Sequence, residues 1–211
     1  MNLNETLAEP LFTNIDAYWE VIPKIKDFPQ SLEENINKDN YTEIKEGIWI
    51  GENVSIDKTS IIKGPCIIDD NTTIGPYAYI RENTIIGKNC HIGHATEIKN
   101  SIIFNNCQIS HFNYIGDSII GNNSHLAAGA IISNLKNDGS NIKINNIEVP
   151  LRKLGAIIHD HVEVGCNSVI YPGTIIYSNV SIYPLTRVRG VIKENTIVKD
   201  EHTKVERVDN K

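Results

Sequence analysis

Ile74-Gly75-Pro76-Tyr77-Ala78-Tyr79-Ile80-Arg81-Glu82-Asn83-Thr84-Ile85-Ile86-Gly87-Lys88-Asn89-Cys90-His91-Ile92 carries an isoleucine at every sixth residue and a small side chain four residues after each. The pattern runs unbroken from Ile50 through Ile56, Ile62 and Ile68 to Ile98, with Val54, Ser60, Cys66, Thr72, Ala78, Thr84, Cys90 and Thr96 at the small positions. A helix needs apolar residues three and four apart and a strand alternates in twos, so a strict six fits neither. It predicts a parallel β-helix, an all-β solenoid in which each hexapeptide is one short flat face and a turn. Three faces close a triangle whose inner corners accept only small residues. Asn and Gly crowd the turns, as in Gly51-Glu52-Asn53 and Gly87-Lys88-Asn89, because both tolerate a left-handed backbone.

Working outward, the count slips after Ile98: Ile98 to Ile103 is five, 109 and 115 follow in sixes, and Ile115 to Ile120 is five again. Irregularity inside a regular repeat is where function is sought. From Ser133 to Gly155 the hexads vanish, and Ile142-Lys143-Ile144, Asn145-Asn146 and Ile147-Glu148-Val149 read as a hairpin with a two-residue turn, an arm protruding from the coil. The repeat returns at Ile158 and continues through Val164, Ile170, Ile176, Ile182 and Val188. Three parts follow: a helical N-terminal cap over 1–46, the coil over 47–198 with its arm at 133–155, and a charged tail over 199–211. In the cap, Asn14-Ile15-Asp16 should start a short helix carrying Trp19, Ile22, Ile25 and Phe28, with a second piece over Ser31 to Asn37. Such a segment should cover the exposed apolar end of the first coil.

A net charge of −6 with signs interspersed gives no basic field for nucleic acid and no polybasic patch for a membrane. No apolar run approaches the ~20 residues that span a bilayer, so the expected address is cytoplasmic. Cys66, Cys90 and Cys107 sit at inward small positions and no Cys-x-x-Cys occurs, so the thiols are expected to be reduced and buried as small hydrophobes.

Eighteen residues make one turn, so residues eighteen apart stack at about 4.8 Å. Lys63, Arg81 and Lys99 then form one cationic column, either a binding site for an anion such as phosphate or a ladder screened by salt and Glu97. His94 and His111 are expected on the preceding face, with His91 and His125 at the corner leading into it. Each is most simply a surface histidine; clustered beside the cations, one of them suits general-base work.

The segments Ile74-Gly75-Pro76-Tyr77-Ala78-Tyr79-Ile80-Arg81, Ile92-Gly93-His94-Ala95-Thr96-Glu97-Ile98-Lys99-Asn100-Ser101 and Ser110-His111-Phe112-Asn113-Tyr114-Ile115-Gly116-Asp117 resemble the acetyltransferase domain of bifunctional hexosamine-1-phosphate acetyltransferase/uridylyltransferases. Leu151-Arg152-Lys153-Leu154-Gly155-Ala156-Ile157-Ile158 points to the branch with archaeal members. The resemblance covers about residues 48 to 198 and implies a left-handed β-helix assembled as a homotrimer. It implies N-acetylation of an amino-sugar 1-phosphate by acetyl-CoA, with no metal. It makes His111 the general base, Arg81 and Lys99 the phosphate holders, Tyr114 and Asn134 sugar contacts, and Ala128, Cys166 and Pro184 contacts to the acetyl-CoA arm. The family's Asn after the catalytic His is His125 here, its Ile-Gly-Ala-Gly is Leu126-Ala127-Ala128-Gly129, and its Asn-Tyr-Asp-Gly loop is Asn134-Leu135-Lys136-Asn137. The first glycine is Gly47, so a glycine-rich phosphate loop is missing and uridylyl transfer is not expected from this chain. The alternative expectation is a non-catalytic trimer that binds a sugar phosphate or nucleotide sugar and serves a separate nucleotidyltransferase subunit.

Overall fold

The sixth-position residues turn inward. Ile68, Ile74, Ile80, Ile86, Ile92 and Ile98 are buried with Cys66, Ala78 and Cys90 in one continuous core that runs on to Val198. The computed structural model describes residues 1–4, 6–28 and 40–207, and its coil is a parallel β-helix with three sheets of nine, nine and seven strands. Face one holds Ile48–Ile50, Cys66–Ile68, Thr84–Ile86, Ser101–Ile103, Ile119–Ile120, Ala156–Ile158, Thr174–Ile176 and Val191–Ile192. Face two runs from Ser55–Ile56 to Thr196–Val198, and face three from Ile61–Ile62 to Arg187–Val188. Along face three Ile62 pairs with Ile80, Ile80 with Ile98, Ile98 with Ile115 and Ile115 with Ile132. Both five-residue units therefore fall at one corner, between face three and face one, and the 133–155 insertion leaves the coil at that same corner.

Face one is apolar on its outside as well. Ile67, Ile85, Ile102, Ile119 and Ile157 point away from the core axis and are fully covered, packed with Phe12, Val21, Ile22, Ile25 and Phe28. The N-terminal segment thus lies along the flank of the coil instead of over its end, because that outer isoleucine row has far more apolar surface to bury. Its helices are the short 3₁₀ pieces Glu9–Phe12 and Tyr18–Asp27, with Pro23 inside the second and no side-chain cap at Ala17. The Phe12 ring meets Phe104 edge-on at 5.7 Å. The helix expected over Ser31 to Asn37 lies outside the described residues. The starting edge of face one is met by Thr42–Lys45, antiparallel to Ile48–Ile50.

The arm has its expected hairpin, Lys143–Ile144 against Ile147–Glu148, with Asn145 and Asn146 both at positive φ, the signature of the tight primed turn. It does not stand away from the coil. Ile142, Ile144, Val149 and Leu154 are buried in the flanking cluster with the N-terminal segment, since a hairpin this short is not stable without a surface to pack on. At the far end Lys204–Glu206 turns back antiparallel to Thr196–Val198, so the first part of the charged tail caps the sheet edge.

His159 ties the N-terminal segment to face one. It is 7 % exposed, lies edge-on to Tyr18 at 5.5 Å, and has its Nδ1 3.2 Å from the amino terminus. Burial first, and the nearby amino terminus second, push its pKa down to about 4. Unfolded chain takes up the proton near the ordinary value of about 6.5, so this residue's contribution is whole above that pH. It is lost as pH falls toward 4, by about 2 kcal/mol after allowance for partial screening. Denaturant titrations at pH 7 and pH 4.5 should show that loss, and His159→Gln should reduce it; an equal loss in the variant would refute the assignment.

Candidate functional site

The three corners of the coil differ in chemistry. Between faces one and two the residues at positive φ are Asn53, Asn71, Asn89, Asn106, Asn123, His161, Asn179 and Asn195. Asn is the side chain that tolerates this region best after Gly, and neighbours along the column bond to each other, Asn53 to Asn71 at 3.3 Å and Asn89 to Asn106 at 3.2 Å. Between faces two and three the same position holds Tyr77, Ala95, Phe112, Gly129, Asn167 and Leu185. A bulky residue there costs roughly 1–2 kcal/mol. Tyr77, Phe112 and Leu185 are also exposed, at 64, 59 and 78 %. Strain of this kind persists where a surface is used.

His111, Ala128, Cys166 and Pro184 stand on that corner. Phe112 N–H donates to the His94 carbonyl, Gly129 to His111, Asn167 to Ala128 and Leu185 to Cys166, each at 2.8–2.9 Å. The four residues implied by the resemblance as base and acyl-carrier contacts therefore occupy successive rungs of one ladder, about 14 Å from His111 to Pro184 at the strand spacing. Short side chains at Ala128, Cys166 and Pro184 leave a shallow track along it, with Cys166 and Pro184 exposed.

The histidines are placed the other way round from expectation. His91 and His125 lie on the strands of face two, both in register with Gln108, while His94 and His111 are at the corner. Each pair stacks as the count with its five-residue units expects, 17 residues per turn, but the strands His91–Ile92 and His125–Leu126 end at their inward residue, so the positions before it lie on the face and those after it at the corner. His94 Nδ1–H donates to the Pro76 carbonyl oxygen at 3.1 Å, since a carbonyl only accepts. It is flanked edge-on by Tyr77 at 5.6 Å and Phe112 at 5.1 Å. His111 is exposed and has no such tie among the described residues, which leaves its ring nitrogens open to a ligand.

On the far edge of face three the cation column is present in register, but its members are paired. Arg81 bonds Glu97 at 3.0 Å and lies 3.6 Å from Glu82. Lys63 stands over the Tyr79 ring at 5.3 Å. Lys99 is 3.9 Å from the Asp117 carboxylate, a looser pairing than a hydrogen bond. Asp117 is the hub that sequence reading missed. It is 4 % exposed and accepts from Asn100 at 2.7 Å and, in a short bond, from Asn134. Asn134 also reaches the Tyr114 hydroxyl at 3.3 Å. Burial, then Asp117 and Glu97, hold the Tyr114 phenol above its ordinary pKa, so it stays a neutral donor. Lys99, Tyr114 and Asn134 are thus drawn together around one carboxylate, while Arg81 joins them from the rung below. The Arg81 Nε is buried without a hydrogen-bond partner. Beside them a cleft of about 510 Å³ opens between Pro23, Asn100, Asp117, Leu135, Arg152 and Lys153. Arg152 and Lys153, unremarked as site cations in the sequence, bring positive charge to its arm side.

Face three, two or three residues wide, separates the two edges by roughly 10 Å. Among the described residues no three His, Cys, Asp or Glu side chains gather as a metal-binding group, and no helix is long and apolar enough to cross a membrane.

Residues 62–154 match the family described as GMPPB C-terminal domain. The bifunctional sugar-1-phosphate nucleotidylyltransferase/acetyltransferase of Sulfurisphaera tokodaii is 41 % identical over 64 residues, 28 % of this chain and 16 % of that protein. The chain thus spans a small part of the curated relative it matches. Among solved structures, the S84T mutant of AntD, an N-acyltransferase from Bacillus cereus in complex with dTDP and coenzyme A, superposes with a TM-score of 0.51 at 17 % identity, over 81 % of this chain and 91 % of that one. The polysialic acid O-acetyltransferase OatWY gives 0.38 at 22 % identity, over 76 % and 85 %.

Proposed function

We propose that this chain is a hexapeptide-repeat acetyltransferase that moves the acetyl group of acetyl-CoA onto the amino group of a sugar 1-phosphate, working as a cytoplasmic homotrimer. The observation that carries the reading is the pairing of two edges on one face: a ladder bearing His111, Ala128, Cys166 and Pro184, and across face three a set of Arg81, Lys99, Tyr114 and Asn134. Acyl carrier along the first and sugar phosphate at the second would bring amine and thioester together near His111. The imidazole takes a proton from the amine as its nitrogen attacks the acyl carbon; over the whole reaction the C–N bond forms, the thioester C–S bond breaks, and one proton ends on the CoA thiol. Holding both partners in line is itself a large part of the acceleration. Exposed Tyr77, Phe112 and Leu185 on the ladder corner support a trimer, since a neighbouring copy would cover them and complete the acyl track.

Arg81 and Lys99 would exchange Glu97 and Asp117 for the phosphate. Removing one charge-assisted contact of about 1.5–3 kcal/mol should raise KM for the sugar phosphate roughly 10–100-fold in Arg81→Ala and Lys99→Ala, with KM for acetyl-CoA unchanged. Lys88→Ala, at a different corner and paired with Asp70 at 2.8 Å, is the control. Equal effects on both substrates would argue against the assignment. His125 in place of the family's Asn favours a second reading, a non-catalytic sugar-phosphate-binding trimer serving a nucleotidyltransferase subunit. Calorimetry separates the two: heat with CoA supports the enzyme, and heat with the sugar phosphate alone supports the binding protein.

A further inference from the structure

Face two carries a second constellation, one residue away from the ladder. The Ser110 hydroxyl oxygen lies 2.9 Å from His125 Nε2, and His125 Nδ1 lies 3.0 Å from the Glu163 carboxylate. A carboxylate only accepts, so Nδ1 carries the proton of the neutral ring and Nε2 is left to accept from the serine hydroxyl. Glu163 stands next to His125 in strand register with Ser181 on its other side, and Ser181 offers no cation that would occupy the carboxylate. Ser110 is half-buried, and the His125 and Glu163 side chains are 35 % and 52 % exposed, so the hydroxyl is held yet open to a substrate. Nucleophile, base and orienting acid within hydrogen-bond reach of each other are the arrangement that activates a serine.

Resting on the acyl-CoA reading above, we propose that Ser110, His125 and Glu163 form a nucleophilic triad that takes the acyl group from acyl-CoA as a serine ester. Ser110 directly precedes His111, the first residue of the proposed acyl track. In the first half, Oγ attacks the thioester carbon and the Oγ–C bond forms as the C–S bond breaks. The hydroxyl proton passes to His125 Nε2 and on to the leaving thiolate, giving free CoA thiol. In the second half, His111 takes one proton from the incoming ammonium, and the neutral amine attacks the ester carbon. The C–N bond forms, the C–Oγ bond breaks, and the second amine proton returns through His125 to Oγ. With water in place of the amine the same steps hydrolyse acyl-CoA to the acid and CoA. His125 is thereby a catalytic residue, and Glu163 a positioning residue that acts through it.

The test is to mix the full chain with acetyl-CoA alone, quench in acid, and measure intact mass and free thiol. The expected result is a species heavier by one acetyl group, mapped to Ser110, together with slow acceptor-independent thiol release. Both should survive in the control Lys88→Ala, and thiol release should fall at least about 100-fold in Ser110→Ala and His125→Gln. Glu163→Gln should lose most of that release while Glu163→Asp recovers part, which a merely structural carboxylate would not show. Full acyl transfer to the sugar amine with no acetyl-Ser110, and with Ser110→Ala as active as the parent, overturns the triad and leaves direct transfer. Absence of CoA binding by calorimetry overturns the acyl-CoA reading, and the triad with it. Melting curves of each variant confirm that the coil is intact.

Discussion

His111→Ala should lower acyl transfer by roughly 10²–10⁴-fold, the usual contribution of a positioned general base, while the melting temperature moves by no more than about 2 °C. The asymmetry follows from where the residue sits. Its side chain is exposed at the corner and has no described hydrogen bond to lose, whereas its backbone carbonyl, which the substitution keeps, accepts from Gly129 at 2.8 Å. The neighbouring His94 provides the contrast. Its ring is tied to the Pro76 carbonyl and packed between two aromatic rings, so His94→Ala should cost stability and leave the chemical step in place. Measured kcat for the two variants, with thermal melts alongside, decides the point. Undiminished turnover in His111→Ala would remove it as the base.

Gly93→Ala should be the most damaging single change to the coil. An added Cβ would overlap the carbonyl oxygen of Ser110 on the next rung, which is backbone and cannot swing away. Gly75 occupies the equivalent place one rung earlier, and there the nearest atoms would be 3.2 Å from a new Cβ. The two chains are no closer at one rung than at the other, since Gly75 N–H donates to the Ile92 carbonyl and Gly93 N–H to the Ile109 carbonyl at 2.7 Å alike; the difference is that the Ser110 carbonyl points at the Gly93 Cα. Gly93→Ala is expected to cost upward of about 3 kcal/mol, in the range of severe backbone and packing defects, and Gly75→Ala about 1 kcal/mol. Urea unfolding of the pair tests it; equal midpoints would mean that the Ser110 carbonyl does not oppose a side chain at position 93.

The inward column was legible because the repeat is unbroken from Ile50 to Ile98: a branched residue every six and a small one four later leave few other shapes. The eighteen-residue stacking of Lys63, Arg81 and Lys99 followed directly from that count. What faces outward has no such constraint. The destination of the N-terminal segment was nevertheless written in the chain, since Ile67-Ile68, Ile85-Ile86, Ile102-Ile103, Ile119-Ile120, Ile157-Ile158 and Ile175-Ile176 double the isoleucine along face one, against only Ile61-Ile62 and Ile131-Ile132 on face three and no such pair on face two. That density of doubling marks a covered flank rather than an end cap. Asp117, by contrast, gives no signal in sequence. It gains its role only when the two short units and the 133–155 insertion come to a single corner and deliver Asn100 and Asn134 to the same carboxylate. Ser110, His125 and Glu163 are likewise dispersed, and the arm's twenty extra residues between His125 and Glu163 hide the fact that they are neighbours in register.

The unequal corners also bear on how this molecule could be made more robust. Asparagine already fills the left-handed positions of one corner, so little is to be gained there, whereas Phe112 and Leu185 hold a conformation that Asn or Gly would adopt at lower cost. A search for heat-resistant mutants should therefore collect its winners along a single one of the prism's three long edges. That edge is the one bearing His111, and improvement in durability would draw directly on the surface proposed to meet the substrate.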